Sequence, residues 1–143
     1  MAHSPLDHLA DYAAVATRLG VDAVALVPGP NFTRALGHSF ASHERPFVLI
    51  IKKDGSGAAR VPNRDLGSWG LLGFDGAVFD WRDQTGYDAE FAALLSHLAI
   101  GSLAVEGQVM RVFVHHALLR AQPDLNIIDG EYEISGLRMI KTA

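Results

Sequence analysis

Seven histidines and no cysteine leave imidazoles and carboxylates as the strong metal ligands and proton carriers of this chain. The densest grouping is His38, His43 and Glu44. Its spacing argues against a metal: His38 and His43 are out of phase on any helix, and a catalytic zinc or manganese site needs several convergent ligands held by further hydrogen bonds. A polar surface loop is the better reading. His115 and His116 are neighbours on a helical stretch, about 100° apart in projection, so one lies beside Arg111 on the polar side while the other packs. Asp75, Asp80 and Asp83 offer an acid and base pair, but they flank a strand end and Trp81-Arg82, where carboxylates commonly solvate a loop.

The run Gly55-Ser56-Gly57-Ala58-Ala59-Arg60 has the spacing that opens a dinucleotide fingerprint. Such a loop must lead from a strand into a helix whose N-terminus receives pyrophosphate, whereas this one leads into a strand, so it reads as a turn. No serine sits in a Gly-x-Ser-x-Gly elbow, which leaves only a dispersed triad for serine chemistry. Arg34 and the loop 37–45 are a candidate recognition element. Phe40, His43 and Arg45 are its contact residues, and an arginine there can pair with a carboxylate through two parallel hydrogen bonds. The other reading has Phe40 folded back onto the core and Arg45 capping the next strand; both stand at this point.

These residues need elements to hold them. The 143 residues are 49% hydrophobic and 20% charged, which suits one compact domain with a substantial core. Twelve basic against 16 acidic residues give a net charge of -4 with no block of either sign, arguing against nucleic acid or an anionic membrane as partner. The absence of cysteine fits a reducing cytosol. Asp7 and Asp11 stand where a signal peptide carries basic and apolar runs, and no stretch is long enough for a membrane span, so a cytoplasmic protein is expected.

Ser4-Pro5-Leu6-Asp7 supplies a helix cap, an N1 proline and a first-turn carboxylate, predicting a helix with Leu9, Ala13 and Ala16 on one face that ends near Gly20. Residues 23–27 form an unalternating apolar run, as expected of a strand covered on both faces, and stop at Pro28-Gly29-Pro30. Residues 47–51 repeat that pattern and join 58–61 through Lys52-Lys53-Asp54-Gly55-Ser56-Gly57, a hairpin. A strand is expected within 73–79. Tyr87, Phe91, Leu94, Leu95 and Leu98 then take helical spacing behind a Thr85 cap. Residues 103–106 form another strand, 109–121 a helix apolar around most of its circumference, and 126–128 a last strand. Tyr132, Ile134, Leu137 and Ile140 suggest a closing amphipathic turn. Strands alternating with helices, plus one hairpin, predict a three-layer α/β/α domain with a mixed sheet of about five or six strands.

Taken in order, these pieces resemble the N-terminal domain of the creatinase/prolidase/aminopeptidase P family over nearly the whole chain. Asp22 to Val27 matches its opening strand, and Pro30-Asn31 followed by Gly37 resembles its Pro-Asn-x-x-Tyr-Leu-Thr-Gly signature, with Arg34, Ala35 and Leu36 replacing Tyr, Leu and Thr. Arg45-Pro46 with Lys53-Asp54-Gly55 looks like the next strand and hairpin. Val105-Glu106-Gly107 with Met110 resembles a later glutamate-glycine turn, and Leu137-Arg138-Met139-Ile140-Lys141 the linker to a pita-bread catalytic domain.

The resemblance implies a ribonuclease H-like N-domain, with residues 1–143 as one unit and 137–143 as linker. It implies a parent Xaa-Pro aminopeptidase or dipeptidase whose two divalent metals (manganese, cobalt or zinc) lie in the catalytic domain, with none held by this chain. Creatinase is a metal-independent member. It further implies a homodimer or higher oligomer, contact with the chain's own catalytic domain, and proline-containing peptides as the parent's substrates, with loop 37–45 at the mouth of a neighbouring active site. The alternative is a free-standing small-molecule or protein-binding module of the same fold without peptidase activity.

Overall fold

The computed structural model describes residues 8–41, 46–81 and 88–139. Chain order is α1 (Leu9–Leu19), β1 (Ala23–Leu26), α2 (Pro30–Leu36), β2 (Val48–Lys52), β3 (Gly57–Pro62), a 3-10 turn (Asn63–Asp65), α3 (Leu66–Gly70), β4 (Ala77–Trp81), α4 (Asp88–Leu98), β5 (Ser102–Val105), α5 (Val112–Ala121), β6 (Asn126–Asp129), α6 (Glu131–Gly136) and a closing 3-10 turn (Leu137–Met139). The strands form one six-stranded sheet in the order β4-β3-β2-β1-β5-β6. β2 is antiparallel to β1 and β3, whereas β1, β5 and β6 run parallel, as do β3 and β4.

Strand periodicity divides the apolar residues between two cores. Val24, Leu26, Leu49, Ile51, Ala59, Val61 and Ala104 face α1, α2, α3 and α6. Ala23, Ala25, Val48, Ile50, Ala58, Leu103 and Val105 face α4 and α5. The unalternating runs are therefore buried on both faces, giving the three-layer mixed sheet that the pattern predicts.

Local chemistry sets the boundaries. α1 ends in a Schellman motif: Gly20 adopts φ 72° and donates to Thr17 O, and Val21 donates to Ala16 O. In the hairpin, the Asp54 carboxylate accepts from the Ser56 amide at 2.9 Å and its hydroxyl at 2.6 Å, closing the turn between β2 and β3.

Several expectations need correction. The strand expected within 73–79 lies later, at Ala77–Trp81, because Gly73 takes φ 75° and a Cβ on Gly76 would stand 2.2 Å from Gly57 O; the glycines form the approach rather than the strand. α2 and α3 escape the periodicity argument because each is too short to display a helical repeat. α5 begins at Val112 instead of 109 and buries Val114, Ala117 and Leu118, while Val112 is 68% exposed. In the closing turn Ile134 and Leu137 are buried, but Tyr132 is 88% exposed. Ser4 to Asp7, Thr85, Tyr87 and Ile140 lie outside the described residues, as do 140–143 of the expected linker.

Candidate functional site at the carboxyl edge of the parallel strands

The chain leaves β1 towards β2 on one side and leaves β5 towards β6 on the other, so connections diverge between β1 and β5. At such a reversal the loops part and open a crevice beyond the carboxyl ends of the strands. Here the crevice is filled by a buried polar node. Asn31 at the start of α2 and Glu106 just past β5 are each 1% exposed. Asn31 Nδ2 donates to Glu106 Oε2 at 2.9 Å, and the Tyr12 hydroxyl from α1 donates to Asn31 Oδ1 at 3.0 Å. Asn31 Nδ2 also reaches Ser135 Oγ of α6 at 3.5 Å, and Ser135 donates to Glu131.

Charges around this node are tuned by position. Burial pushes the Glu106 carboxyl up, with Glu131 adding repulsion, while the Asn31 hydrogen bond, the Val27 backbone and Arg138 pull the other way. Burial likewise raises the Tyr12 phenol. The Arg34 guanidinium lies 5.5 Å over the Tyr12 ring and donates to Asp11 at 3.0 Å. Burial acts against ionisation of Asp11, but hydrogen bonds from Arg34 and His8 outweigh it and hold the carboxyl low.

The turn after Glu106 depends on glycine. A Cβ on Gly107 would meet Asp129 Oδ1 at 2.4 Å, and that oxygen accepts from the Gly107 amide at 3.1 Å and the Glu131 amide at 2.9 Å. Outside this turn, α6 and its continuation border a concavity of about 760 Å³ lined by Arg18, Gln108, Glu131, Tyr132 and Met139 among others. Tyr132 and Met139 are exposed there.

The other singled-out residues are scattered. Phe40 takes the core alternative: it is 8% exposed and its ring centroid lies 5.9 Å from Phe32, 5.0 Å from Phe47 and 6.0 Å from Trp69. The His38 ring stacks edgewise on it at 4.7 Å. His43, Glu44, Arg45 and Asp83 lie outside the described residues. His115 is half-buried and His116 exposed, with ring centroids 6.0 Å apart. Asp80 sits on β4 opposite Val61, beside fully buried Arg60. Burial pushes the Arg60 guanidinium down to about 10 against the attraction of Glu90 and Asp80. Among the described residues no three of His, Cys, Asp and Glu are grouped so as to hold a metal.

Sequence reasoning found Asn31 and Glu106 only through the resemblance. Tyr12 and Ser135 were missed, because a buried hydroxyl has no periodic signature and its partners are distant in sequence. A polar side chain in an otherwise apolar stretch, such as Glu106 after Leu103-Ala104-Val105, is the available signal.

The profile of the Creatinase/Prolidase N-terminal domain family matches residues 9–140. No curated protein sequence matches the chain. Among solved structures, the chain is similar to the creatinase/prolidase N-terminal domain of an X-Pro dipeptidase from Streptococcus pyogenes, at 17% identity and TM-score 0.79 over 92% of this chain and 98% of that one. A proline dipeptidase from Streptococcus pneumoniae gives 19% and 0.81 over 93% and 98%. A prolidase from Thermococcus sibiricus gives 24% and 0.81 over 99% of this chain but 39% of its own. At these identities the structural likeness establishes the fold. The profile covers most of the sequence, and on that ground this chain belongs to the creatinase/prolidase N-terminal domain family.

Proposed function

We propose that this chain is the non-catalytic N-terminal domain of a proline-specific metallopeptidase, an Xaa-Pro aminopeptidase or dipeptidase, and that it serves oligomerisation and substrate access. The observation that carries this reading is how the fold occurs among its relatives. It accounts for 98% of the S. pyogenes X-Pro dipeptidase N-terminal domain but only 39% of the T. sibiricus prolidase, whose remaining polypeptide lies outside the shared fold. In this reading two divalent metals (manganese, cobalt or zinc) and the water they activate belong to the catalytic domain. The partners are further copies of the chain, that catalytic domain and proline-containing peptides, in the cytoplasm. Phe40 anchors the access loop through its ring packing, leaving His43 and Arg45 as the residues proposed to meet substrate.

Purified chain incubated with Xaa-Pro peptides and manganese is expected to release no product, and turnover by a contaminant-free sample overturns the non-catalytic assignment. In the complete protein, Arg45→Ala should raise KM or lower kcat; unchanged values for both would remove the access role. The concavity beside α6 favours a second reading, a free-standing small-molecule or protein-binding module. The coding sequence beyond Ala143 separates them. An open frame carrying Asp, Asp, His, Glu and Glu at metal-ligand spacing supports the peptidase domain, and a stop supports the module.

A further inference from the structure

Glu106 is buried as deeply as the leucines around it, yet only one of its carboxyl oxygens is partnered: Oε2 accepts from Asn31 and Oε1 has no hydrogen-bond partner. An ionised carboxylate buried with so few donors is costly, whereas the protonated form loses much less by staying dry. The neighbours repair this only in part: the Val27 backbone just past β1 favours the ionised form but leaves Oε1 without a hydrogen-bond partner. Tyr12 from α1 spends its hydroxyl on Asn31, and Arg34 of α2 is committed to Asp11 and the Tyr12 ring. Asp129 at the end of β6 is engaged by the Gly107 and Glu131 amides. Of the charges on the α6 side, Glu131 repels an ionised Glu106. Arg138 attracts it but is exposed and reaches Ser135 Oγ at 3.4 Å.

Ionisation of Glu106 therefore calls for water, and the lightest cover over the node is α6. α1 buries Tyr12, Val15 and Ala16 against the sheet, and α2 buries Phe32, Ala35 and Leu36 within the aromatic cluster. α6 is six residues long and, with its closing turn, is held by Ile134 and Leu137. Those side chains contribute about 1.5–3 kcal/mol each, less than either neighbouring helix gains.

We propose that Glu106 is a proton-controlled latch: protonated, it keeps α6 and the following turn docked over Asn31, and ionised, it releases them. The face bearing Tyr132 and Met139 is thus fixed at low pH and loosened as pH rises. The folded-state pKa is raised, so docking is strongest below the ordinary glutamate value and weakens from there up to the folded-state value. Within that window the opening equilibrium grows by up to about tenfold per pH unit. This holds whether or not the chain belongs to a peptidase.

Amide exchange and the side-chain carbon shift of Glu106, followed together by NMR on the full chain between pH 5 and pH 8, test the latch. After division by the intrinsic rate at each pH, the opening constant at Ile134, whose amide bonds Gly130 O at 2.9 Å, should rise by up to about tenfold per pH unit and reach half its final value at the midpoint of the Glu106 titration. Buried amides of α4 and α5, which open only with the whole sheet, should stay far better protected than Ile134 at every pH. Glu106→Gln, permanently neutral, should hold α6 protection constant. Flat protection in the wild type, a midpoint unlike that of Glu106, or the same pH dependence in the variant overturns the proposal. If the variant does not fold, the two wild-type midpoints decide alone.

Discussion

Asn31 is the residue on which the node turns, because one amide group accepts from Tyr12 and donates to Glu106. Tyr12→Phe deletes one hydrogen bond and should cost about 1 kcal/mol in urea unfolding. Asn31→Ala strands the Glu106 carboxyl and leaves the Tyr12 hydroxyl only the backbone carbonyl of residue 31, at 3.3 Å, and should cost about 2–4 kcal/mol. Equal losses in the two variants would mean that Asn31 does not bridge its neighbours. Glu106 supplies the pH dependence. Its folded pKa is raised, so it lowers global stability as pH climbs above the ordinary glutamate value. The Tm of Glu106→Gln relative to wild type should therefore rise between pH 5 and pH 8, and a difference that shrinks would contradict the assignment. Phe40 belongs to packing: Phe40→Ala should cost about 3–5 kcal/mol, since its ring is enclosed by Phe32, Phe47 and Trp69.

Elements meet at the node through backbone geometry that side-chain patterns do not reveal. The close approach of Gly107 to Asp129 joins the turn after β5 to the end of β6, and Asp129 in turn receives the first amide of α6. Gly107→Ala forces that carboxylate aside and should destabilise by about 1–3 kcal/mol, chiefly through lost hydrogen bonds. Combining it with Asp129→Ala should cost less than the sum of the single changes, because both remove the same bonds. Strict additivity in denaturant melts would show that the steric clash is relieved elsewhere. α1, β1, β2, β3 and β5 were legible in the sequence to within a residue or two where they are described, since burial on one or both faces writes a period or a continuous apolar run. α2 and α3 were not. They are single short coils placed by a proline, by glycines and by the aromatic cluster that Phe32 and Trp69 enter from different parts of the chain.

For the whole molecule, two cores on either side of one sheet leave the α6 surface as the place where exposed Tyr132 and Met139 stand beside Arg18, Glu131 and Arg138. An oligomerisation role predicts that sedimentation velocity finds a dimer or larger species whose fraction grows with concentration. A monomer at every concentration would count against that role for the chain by itself. No described helix is long and apolar enough to cross a membrane.

The sequence by itself determined the fold class and the family resemblance. Apolar periodicity, turn residues and the order of motifs are local properties, and a continuous buried run such as Val48 to Ile51 admits few other outcomes. It also contained Asn31 and Glu106, but not their meeting. Only the tertiary structure decided that a side chain on α2 would bond one past β5, with Tyr12 and Ser135 completing the set, and that Phe40 would face the core. These contacts join residues up to 104 positions apart, and their energies depend on exclusion from water, which exists only once the sheet and both helical layers have closed around them.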